Sequence, residues 1–581
     1  FDNFEKLNAK LISESITKYL AKLGLNHKLD IKYRDPNEIM KLSRLGSFHQ
    51  SKLSFLRSFI REFKNWDYKN NLFELDLNGN GSAIYSFSRK DRVYSLVCFS
   101  QYIDPDERSD RVIANKWDAA FVLYDGIPST KDINRLRKNV PKQELGRVSC
   151  SELALSRANK SVRVFDHVIE ALSQGTQPDK KLLNKVGYLY RTTAVYGSGK
   201  FGLADRFRIK DRKEIYGPFR LEMMLVYLVR QFTFDQVNHI AKSKNPKKAV
   251  ELDLDIARNL GIGNSTGLGM APFIINHPTL LHNWIYSRET ALKEIRSIEK
   301  VDQEAFNHFK YCLDKSKAMM ESWQTDSQFQ NHKINLLKQG LVQFDQFLEK
   351  EFSIKDKYPW NNIYIWASNN LQDEALEYIV SMMMEPYDDI INPLINNMSS
   401  DEEKYFTIPG HKKISDLRSI LEKNYKSFLE IDFNEKINNT NFWFISKNKA
   451  EPRIANRYED FGGDLEQPLA IARDIKQLYE KIILEEQTSS ISNFLSKNDE
   501  FRHVIRRAFI AEKCPYSEIQ DNTIGDSLVP IDMLRLKLSF FGAVKFDPRS
   551  DKWLRINMYQ GAPLSHEMKT SHDTWIYNVA S

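Results

Sequence analysis

The sequence predicts an α+β protein in which helices predominate, and three observations support this fold class. Short runs rich in β-branched and aromatic residues, bounded by turn residues, lie between positions 72 and 125 and are typical of strands. Apolar residues at helical spacing cover much of the remaining chain. Nine of the 23 glycines fall between Gly187 and Gly269, where an even distribution would place about three, so this central segment requires unusual backbone geometry.

The length and composition set the broad class of the protein. The chain has 581 residues, of which 41% are hydrophobic, and its net charge is only +7. At about 150 residues per domain, this length predicts three or four structural units and a sizeable core. The apolar runs are far shorter than the roughly 20 residues that cross a bilayer, which predicts a soluble protein with no membrane partner.

The cysteines and histidines indicate a compartment and bear on metal binding. Four cysteines are scattered along the chain, too few for a disulfide framework, which favours a reducing compartment and a cytoplasmic location. The cysteines and the twelve histidines also lack the spacing of a tetrahedral metal site. We therefore expect no structural metal.

The predicted N-terminal unit, residues 1–175, combines helices with an antiparallel meander. Helical spacing extends to about residue 65, and a polar helix-like pattern occupies residues 129–174. The sequence Asn-Gly-Asn-Gly at 78–81 is a strong hairpin signal. The predicted strands are Leu72–Leu77, Ala83–Phe87, Val93–Phe99 and Ala119–Tyr124.

The predicted central unit, residues 176–300, is rich in glycine and is the expected ligand site. A run of β-branched residues at Arg191–Tyr196 predicts a strand that leads into a glycine turn. Residues Pro218–Ala241 predict one apolar helix with proline in its first turn. Residues Lys248–Leu260 predict a second helix, ended by Gly261 as a left-handed cap.

The rest of the chain predicts a helical unit at 301–440 and a mixed C-terminal unit at 441–581. Amphipathic patterns cover residues 279–350 and 360–428. The last unit is expected to open with a short strand, continue as helices to Leu495, and end in a β-like tail around Trp553–Tyr559.

The glycine turn after the central strand predicts a site for an anion. Its sequence satisfies G-x-G-x-x-G, and glycines allow backbone amides to approach a phosphate. A dinucleotide-binding unit requires an apolar helix at once, whereas Leu203–Lys213 is charged, and the turn also departs from a Walker A loop. A nucleotide-type cofactor, nicotinamide or flavin, stays open and is not favoured. The turn residues are Gly197, Gly199, Lys200 and Gly202.

Positive charge surrounds this turn. Eight basic and three acidic residues lie between positions 191 and 220. Arginine forks and lysines beside free amides hold phosphate or carboxylate groups, which predicts an anionic ligand. The candidate charge partners, each beside a glycine turn or a helix start, are Arg191, Lys200, Arg206 and Arg220; Lys200 is also a candidate catalytic group.

A second glycine-rich segment, residues 261–269, predicts groups that orient a substrate. It carries Asn264, Ser265 and Thr266, whose small polar side chains suit a substrate-binding or oxyanion-stabilising loop. His277 precedes the next helix and is the candidate acid or base, while His282 within that helix is the weaker one. We expect the loops at 197–202 and 261–269 to line one pocket.

These patterns lead to one principal hypothesis and two alternatives. The principal hypothesis is an enzyme that binds a small anionic substrate or a phosphate-bearing cofactor in the central pocket and uses acid and base chemistry. The first alternative is a nucleic-acid-binding or scaffold protein that uses basic faces at 206–213 and 502–507. The second is a homo-oligomer formed through helices in 279–428. Substrate and reaction type are left open by the sequence.

Overall fold

The computed structural model describes most of the chain, with gaps around the glycine turns and in the C-terminal part. The described residues are 29–104, 117–141, 149–196, 211–212, 214–215, 217, 219–266, 277–321, 328–398, 406–435, 468–520, 535–536, 538–542 and 554–569.

The described strands form one curled, mixed sheet of eight strands, in which neighbours along the chain are neighbours in the sheet. Strands β1 to β6 are antiparallel to one another, β6 and β7 are parallel, and β7 and β8 are antiparallel. With 53% helix beside this sheet, the predicted α+β class is confirmed. The strands are β1 Asp67–Leu75, β2 Gly81–Arg89, β3 Arg92–Ser100, β4 Ala119–Asp125, β5 Glu152–Lys160, β6 Tyr188–Tyr196, β7 Gly261–Thr266 and β8 Leu554–Met558.

The strands predicted between residues 72 and 124 are all present, as β1 to β4. Gly79 in the first hairpin has a φ of 80°, the left-handed conformation that favours glycine. Strand β5, in contrast, lies in a segment where the sequence predicts helix. Its apolar residues are buried on both faces, with Ala154 in the main core and Leu155 in a second one, so the alternation that marks a half-buried strand is missing.

The sheet joins distant parts of the chain. Strand β8 confirms the β-like tail predicted near residue 555, and it pairs with β7 about 290 residues earlier. The predicted boundary between residues 175 and 176 lies between β5 and β6. Strands from three of the predicted units therefore share one sheet.

Helices pack on the sheet and form the larger part of the structure. The helices are α1 Pro36–Ile39, α2 Leu42–Leu45, α3 Phe55–Phe63, α4 Thr130–Asn139, α5 Phe165–Ser173, α6 Lys180–Val186, α7 Arg220–Lys244, α8 Leu254–Arg258, α9 Pro278–Arg296, α10 Gln303–Met320, α11 Gln328–Lys350, α12 Pro359–Asn370, α13 Asp373–Met383, α14 Asp388–Ile395, α15 Ile414–Asn424, α16 Lys426–Leu429, α17 Pro468–Ile482, α18 Ile491–Lys497 and α19 Arg502–Lys513. None of the helices in the described ranges is long and apolar enough to cross a membrane.

Helix α7, which confirms the apolar helix predicted near 218–241, lies inside the curl of the sheet and contacts strands β2 to β7. Its direction follows from its partners on β2 and the hairpin before it. Tyr227 stacks on Phe87 near the end of β2, whereas Gln236 donates to the carbonyl of Gly79 before its start. Helix α7 is therefore antiparallel to β2, and also to β6, which runs in the same direction as β2.

One buried arginine on α7 fixes the chain on both sides of the β7–β8 pair. Arg230 is only 2% exposed, and burial lowers its pKa to about 10. Its guanidinium nitrogens donate hydrogen bonds to backbone carbonyls at distances of 2.7 to 3.4 Å. The carbonyls belong to Ala257, Arg258, Leu260, Ala562 and Pro563.

Strand β7 also corrects two predictions. Of the helix expected at 248–260, only Leu254–Arg258 forms, with the Asp253 side chain accepting the first free N–H groups. Gly261, expected as a left-handed cap, is the first residue of β7. The carbonyl of Met558 on β8 lies where its Cβ would be, so close strand packing explains this glycine.

Buried ion pairs attach the N-terminal segment to helix α13 and the turn after it. Glu377 of α13 accepts from Arg34 at 2.7 Å and from Arg44 at 2.6 Å. Glu385 accepts from both terminal nitrogens of Arg57, at 2.6 and 2.8 Å. Although burial works to raise it, the arginines, Arg34 foremost, lower the pKa of Glu377 to about 2. These carboxylates therefore stay charged inside the core.

Replacing Arg230 with methionine, Arg230→Met, should lower the free energy of unfolding by at least about 3 kcal/mol, because several buried carbonyls lose their donor. Urea denaturation measures this loss. The matched control is Lys244→Met, an exposed position at the end of the same helix, which should stay within about 0.5 kcal/mol of wild type. A loss below about 1 kcal/mol for Arg230→Met would show that the carbonyls find other donors.

Candidate functional site

Parallel pairing brings the ends of β6 and β7 to one edge of the sheet. Thr192 of β6 pairs with Asn264 of β7, and both strands run toward this edge. Tyr196 and Thr266, the last residues of the two strands, therefore lie toward the same edge of the sheet. The loop at 197–202 and the last three residues of the loop at 261–269 lie outside the described residues, so the shared pocket stays a prediction. The same holds for Gly197, Gly199, Lys200, Gly202 and Arg206.

The strand register separates two of the predicted site residues. Arg191, which is 4% exposed, pairs with Gly263, whereas the next residue, Thr192, pairs with Asn264. Because successive residues of a strand point to opposite faces, the positions of Arg191 and Asn264 lie on opposite faces of the sheet. Ser265 occupies a position on the face of Arg191.

Thr192, which the sequence analysis does not single out, is the buried polar group closest in the register to Asn264. Tyr190, two residues earlier, donates its hydroxyl to Gln236 of α7 at 3.0 Å, so this face of β6 is the one turned toward α7. Thr192 is fully buried, and its hydroxyl has no hydrogen-bond partner among the described residues. An unpaired buried hydroxyl is costly, which makes this position a candidate contact for a ligand.

Packing accounts for part of the glycine enrichment. A Cβ on Gly263 would meet the ring of Tyr188 at 2.5 Å. Gly187 ends helix α6 with a φ of 74°, a left-handed cap. Together with Gly261, these glycines serve the close approach of β6, β7 and β8. The glycines at 197–202, 267 and 269 remain the candidates for ligand contact.

The two candidate histidines differ in surroundings. His277 lies directly before α9, is half-buried, and its carbonyl accepts the N–H of Leu281. His282 stacks on Tyr286 and Tyr516, and its Nδ1 accepts the backbone N–H of Tyr516 at 3.2 Å. Burial lowers the pKa of His282 to about 4, so its imidazole is neutral and serves packing. His277 keeps its place as the candidate acid or base.

Arg220 already has a partner. It is the first residue of α7, is 7% exposed, and forms an ion pair with Glu62 of α3. Burial lowers the pKa of Arg220 and raises that of Glu62. The carboxylate balances the arginine charge, so a ligand at Arg220 would contact an ion pair.

On α19, the basic helix face predicted at 502–507 is partly buried and partly paired with carboxylates. Arg507 is buried, and its Nε donates to Glu518 at 2.5 Å. His503 lies 2.8 Å from Asp474, and Arg502 lies 2.6 Å from Asp499. Arg502 and Arg506 stay exposed one helical turn apart, so this surface for nucleic acid stays a prediction.

Comparisons of the chain with protein-family models, with curated proteins and with solved structures give no match. In the part of the chain that the structure describes, no three histidine, cysteine, aspartate or glutamate side chains lie close enough together to hold a metal ion. Strand register, burial and hydrogen bonding therefore define the candidate site.

Replacing Thr192 with valine, Thr192→Val, should leave the free energy of unfolding unchanged or raise it by up to about 2 kcal/mol without ligand, because an unpaired hydroxyl leaves the core. Thr233→Val is the matched control. Thr233 is equally buried, but its hydroxyl donates to the carbonyl of Arg230 at 2.7 Å. The control should lose about 1 kcal/mol in urea denaturation. Equal losses of unfolding free energy in both variants would show that the Thr192 hydroxyl has a hydrogen-bond partner.

His282 should make stability depend on pH. Its folded pKa of about 4 lies below the ordinary 6.5. The neutral imidazole of His282 therefore contributes about 3 kcal/mol to the free energy of unfolding above pH 6.5. This contribution is lost as pH falls toward 4. His282→Asn should flatten the pH dependence of the unfolding free energy in this window, whereas His566→Asn, at an exposed histidine, should not. Identical slopes for wild type and His282→Asn would contradict this assignment.

Proposed function

We propose that the chain is an enzyme that binds a small anionic ligand, through phosphate or carboxylate, at the edge where β6 and β7 end. The observation that carries this proposal is the parallel pairing of these strands in a sheet whose other pairs are antiparallel. A parallel pair requires a crossover connection, and here it contains α7. Ligands of α/β sheets commonly bind beyond the carboxyl ends of parallel strands.

Most of the predicted site residues have a role in this proposal. Backbone amides of the turn at 197–202 hold the anion, with Lys200 and Arg206 as charge partners. Asn264 and Thr266 occupy the face of Thr192 and orient the reacting group. Arg191, on the other face, contributes its charge from behind the sheet. The proposal also assigns this site to the glycine-rich unit at 176–300 and takes the protein to be cytoplasmic and built of four units.

His277 supplies the acid and base chemistry in this scheme. It lies between the segment that follows β7 and the first turn of α9. An imidazole can act as a general acid or base toward a group within hydrogen-bonding reach. A phosphate-bearing cofactor would use the same backbone amides as the substrate, and the proposal leaves its identity open.

Lys200→Ala should weaken binding of an anionic ligand by about 10- to 200-fold, because a charged hydrogen bond contributes about 1.5 to 3 kcal/mol. Isothermal titration with pyrophosphate, citrate and ATP on wild type identifies the ligand class and then measures the loss. Lys247→Ala, at an exposed lysine beyond the other end of α7, is the matched control and should bind as wild type does.

Unchanged affinity of Lys200→Ala, at an unchanged melting temperature, would contradict the proposal. A large fall in melting temperature would show instead that Lys200 stabilises the fold. Binding of single-stranded DNA that collapses with rising salt, with no saturable small anion, would favour the nucleic-acid alternative.

A further inference from the structure

Two arginines near this edge keep buried nitrogens that have no hydrogen-bond partner. Arg212 pairs through Nη2 with Asp125 at 2.5 Å, but its Nε and Nη1 are buried and unpaired among the described residues. The Nε lies 4.0 Å from the carboxylate of Asp211, beyond hydrogen-bonding distance. Arg220, with a side chain 9% exposed, uses Nη2 for Glu62 and leaves Nη1 unpaired.

The two arginines belong to one neighbourhood. Glu214, between them in the chain, accepts the hydroxyl of Tyr94 at 2.7 Å, and Tyr94 pairs with Gly126, the residue after Asp125, which is the partner of Arg212. The ring of Tyr94 also packs on Trp66, and Trp66 packs on Phe63, the neighbour of Glu62, which pairs with Arg220. A continuous set of contacts therefore links Arg212 to Arg220.

This neighbourhood lies at the edge where β6 and β7 end. Asp125 is the last residue of β4, which runs in the same direction as β6. Tyr94 lies near the start of β3, which is antiparallel to β4 and so begins at that edge. The segment that carries Arg212 and Arg220 connects β6 to α7. Within it, Arg212 and Glu214 contact Asp125 and Tyr94 and so lie at the edge of the candidate site.

Positive charge exceeds negative charge around the two arginines. Arg61 is close enough to Arg220, and Arg89 to Glu62, for their charges to interact. Arg92 lies 3.9 Å from Glu214. Five arginines thus face four carboxylates, those of Glu62, Asp125, Asp211 and Glu214. The surplus charge favours an added anion over a further basic group.

We infer that Arg212 and Arg220 form a subsite for a phosphoryl group of the ligand, an inference that rests on the proposed function. Three buried nitrogens require acceptors for their N–H groups, and a phosphoryl group brings several oxygens and negative charge together. Asp125 and Glu62 each hold one arginine through its Nη2. The phosphoryl group accepts from the remaining nitrogens.

The experiment is isothermal titration of inorganic pyrophosphate into wild type, Arg212→Gln and Arg212→Lys. Both variants should bind pyrophosphate about 10- to 100-fold more weakly, because lysine keeps the charge but cannot present a second and third N–H in a fork. Melting temperatures should stay close to wild type, since the pair with Asp125 is partly exposed. Arg502→Gln, at an exposed arginine paired with Asp499, is the matched control and should bind normally.

Other outcomes overturn the inference, and they separate it from the proposed function. Full pyrophosphate affinity in folded Arg212→Gln or Arg212→Lys overturns the subsite. Citrate binding that Lys200→Ala weakens, without pyrophosphate binding to wild type, overturns the phosphoryl assignment and leaves the proposed function standing. If neither probe binds wild type at millimolar concentration, the proposed function and the subsite both fail. If Arg212→Gln does not fold, Arg212→Lys decides the result.

Discussion

The fold depends on hydrogen bonds to the buried polar side chains of α7, the helix that lies inside the curl of the sheet. Helix α7 carries Arg230 and Gln236 into the core, and burial of a guanidinium or amide is costly unless its donors find acceptors. Arg230 finds them on the backbone before β7 and after β8, while Gln236 finds them at Gly79 and Ser100. The helix therefore sets the positions of the first hairpin and of the last two strands, and the sheet curls to meet both.

The candidate site follows from this arrangement. Because α7 is the crossover between β6 and β7, the helix that holds the sheet together also makes these strands parallel. One edge then collects their ends, the unpaired hydroxyl of Thr192 and the segment with Arg212 and Arg220. Such unpaired groups oppose folding, and a ligand at this edge would satisfy them. Other buried groups in the described core, such as the indole nitrogens of Trp66 and Trp284, are unpaired as well.

Local patterns in the sequence predict what depends on near neighbours. The hairpin at Gly79, the strands β1 to β4 and helix α7 were all predictable, because turn chemistry and apolar spacing determine them locally. The pairing of β8 with β7 was not, since it joins segments about 290 residues apart. The sequence also places Arg191 and Asn264 in one site, and only the register puts them on opposite faces. Thr192 and Arg212 were missed because an unpaired atom is a property of the packed core.

The origin of β8 has a consequence for folding during synthesis. A ribosome completes β7 long before it makes residues 554–569, and during that interval β7 has an open edge with unpaired backbone groups. Until β8 emerges, Arg230 also lacks the carbonyls of Ala562 and Pro563. The nascent sheet therefore requires protection, by a chaperone or by the chain's own helices. Its final pairing closes a very long loop, which slows folding.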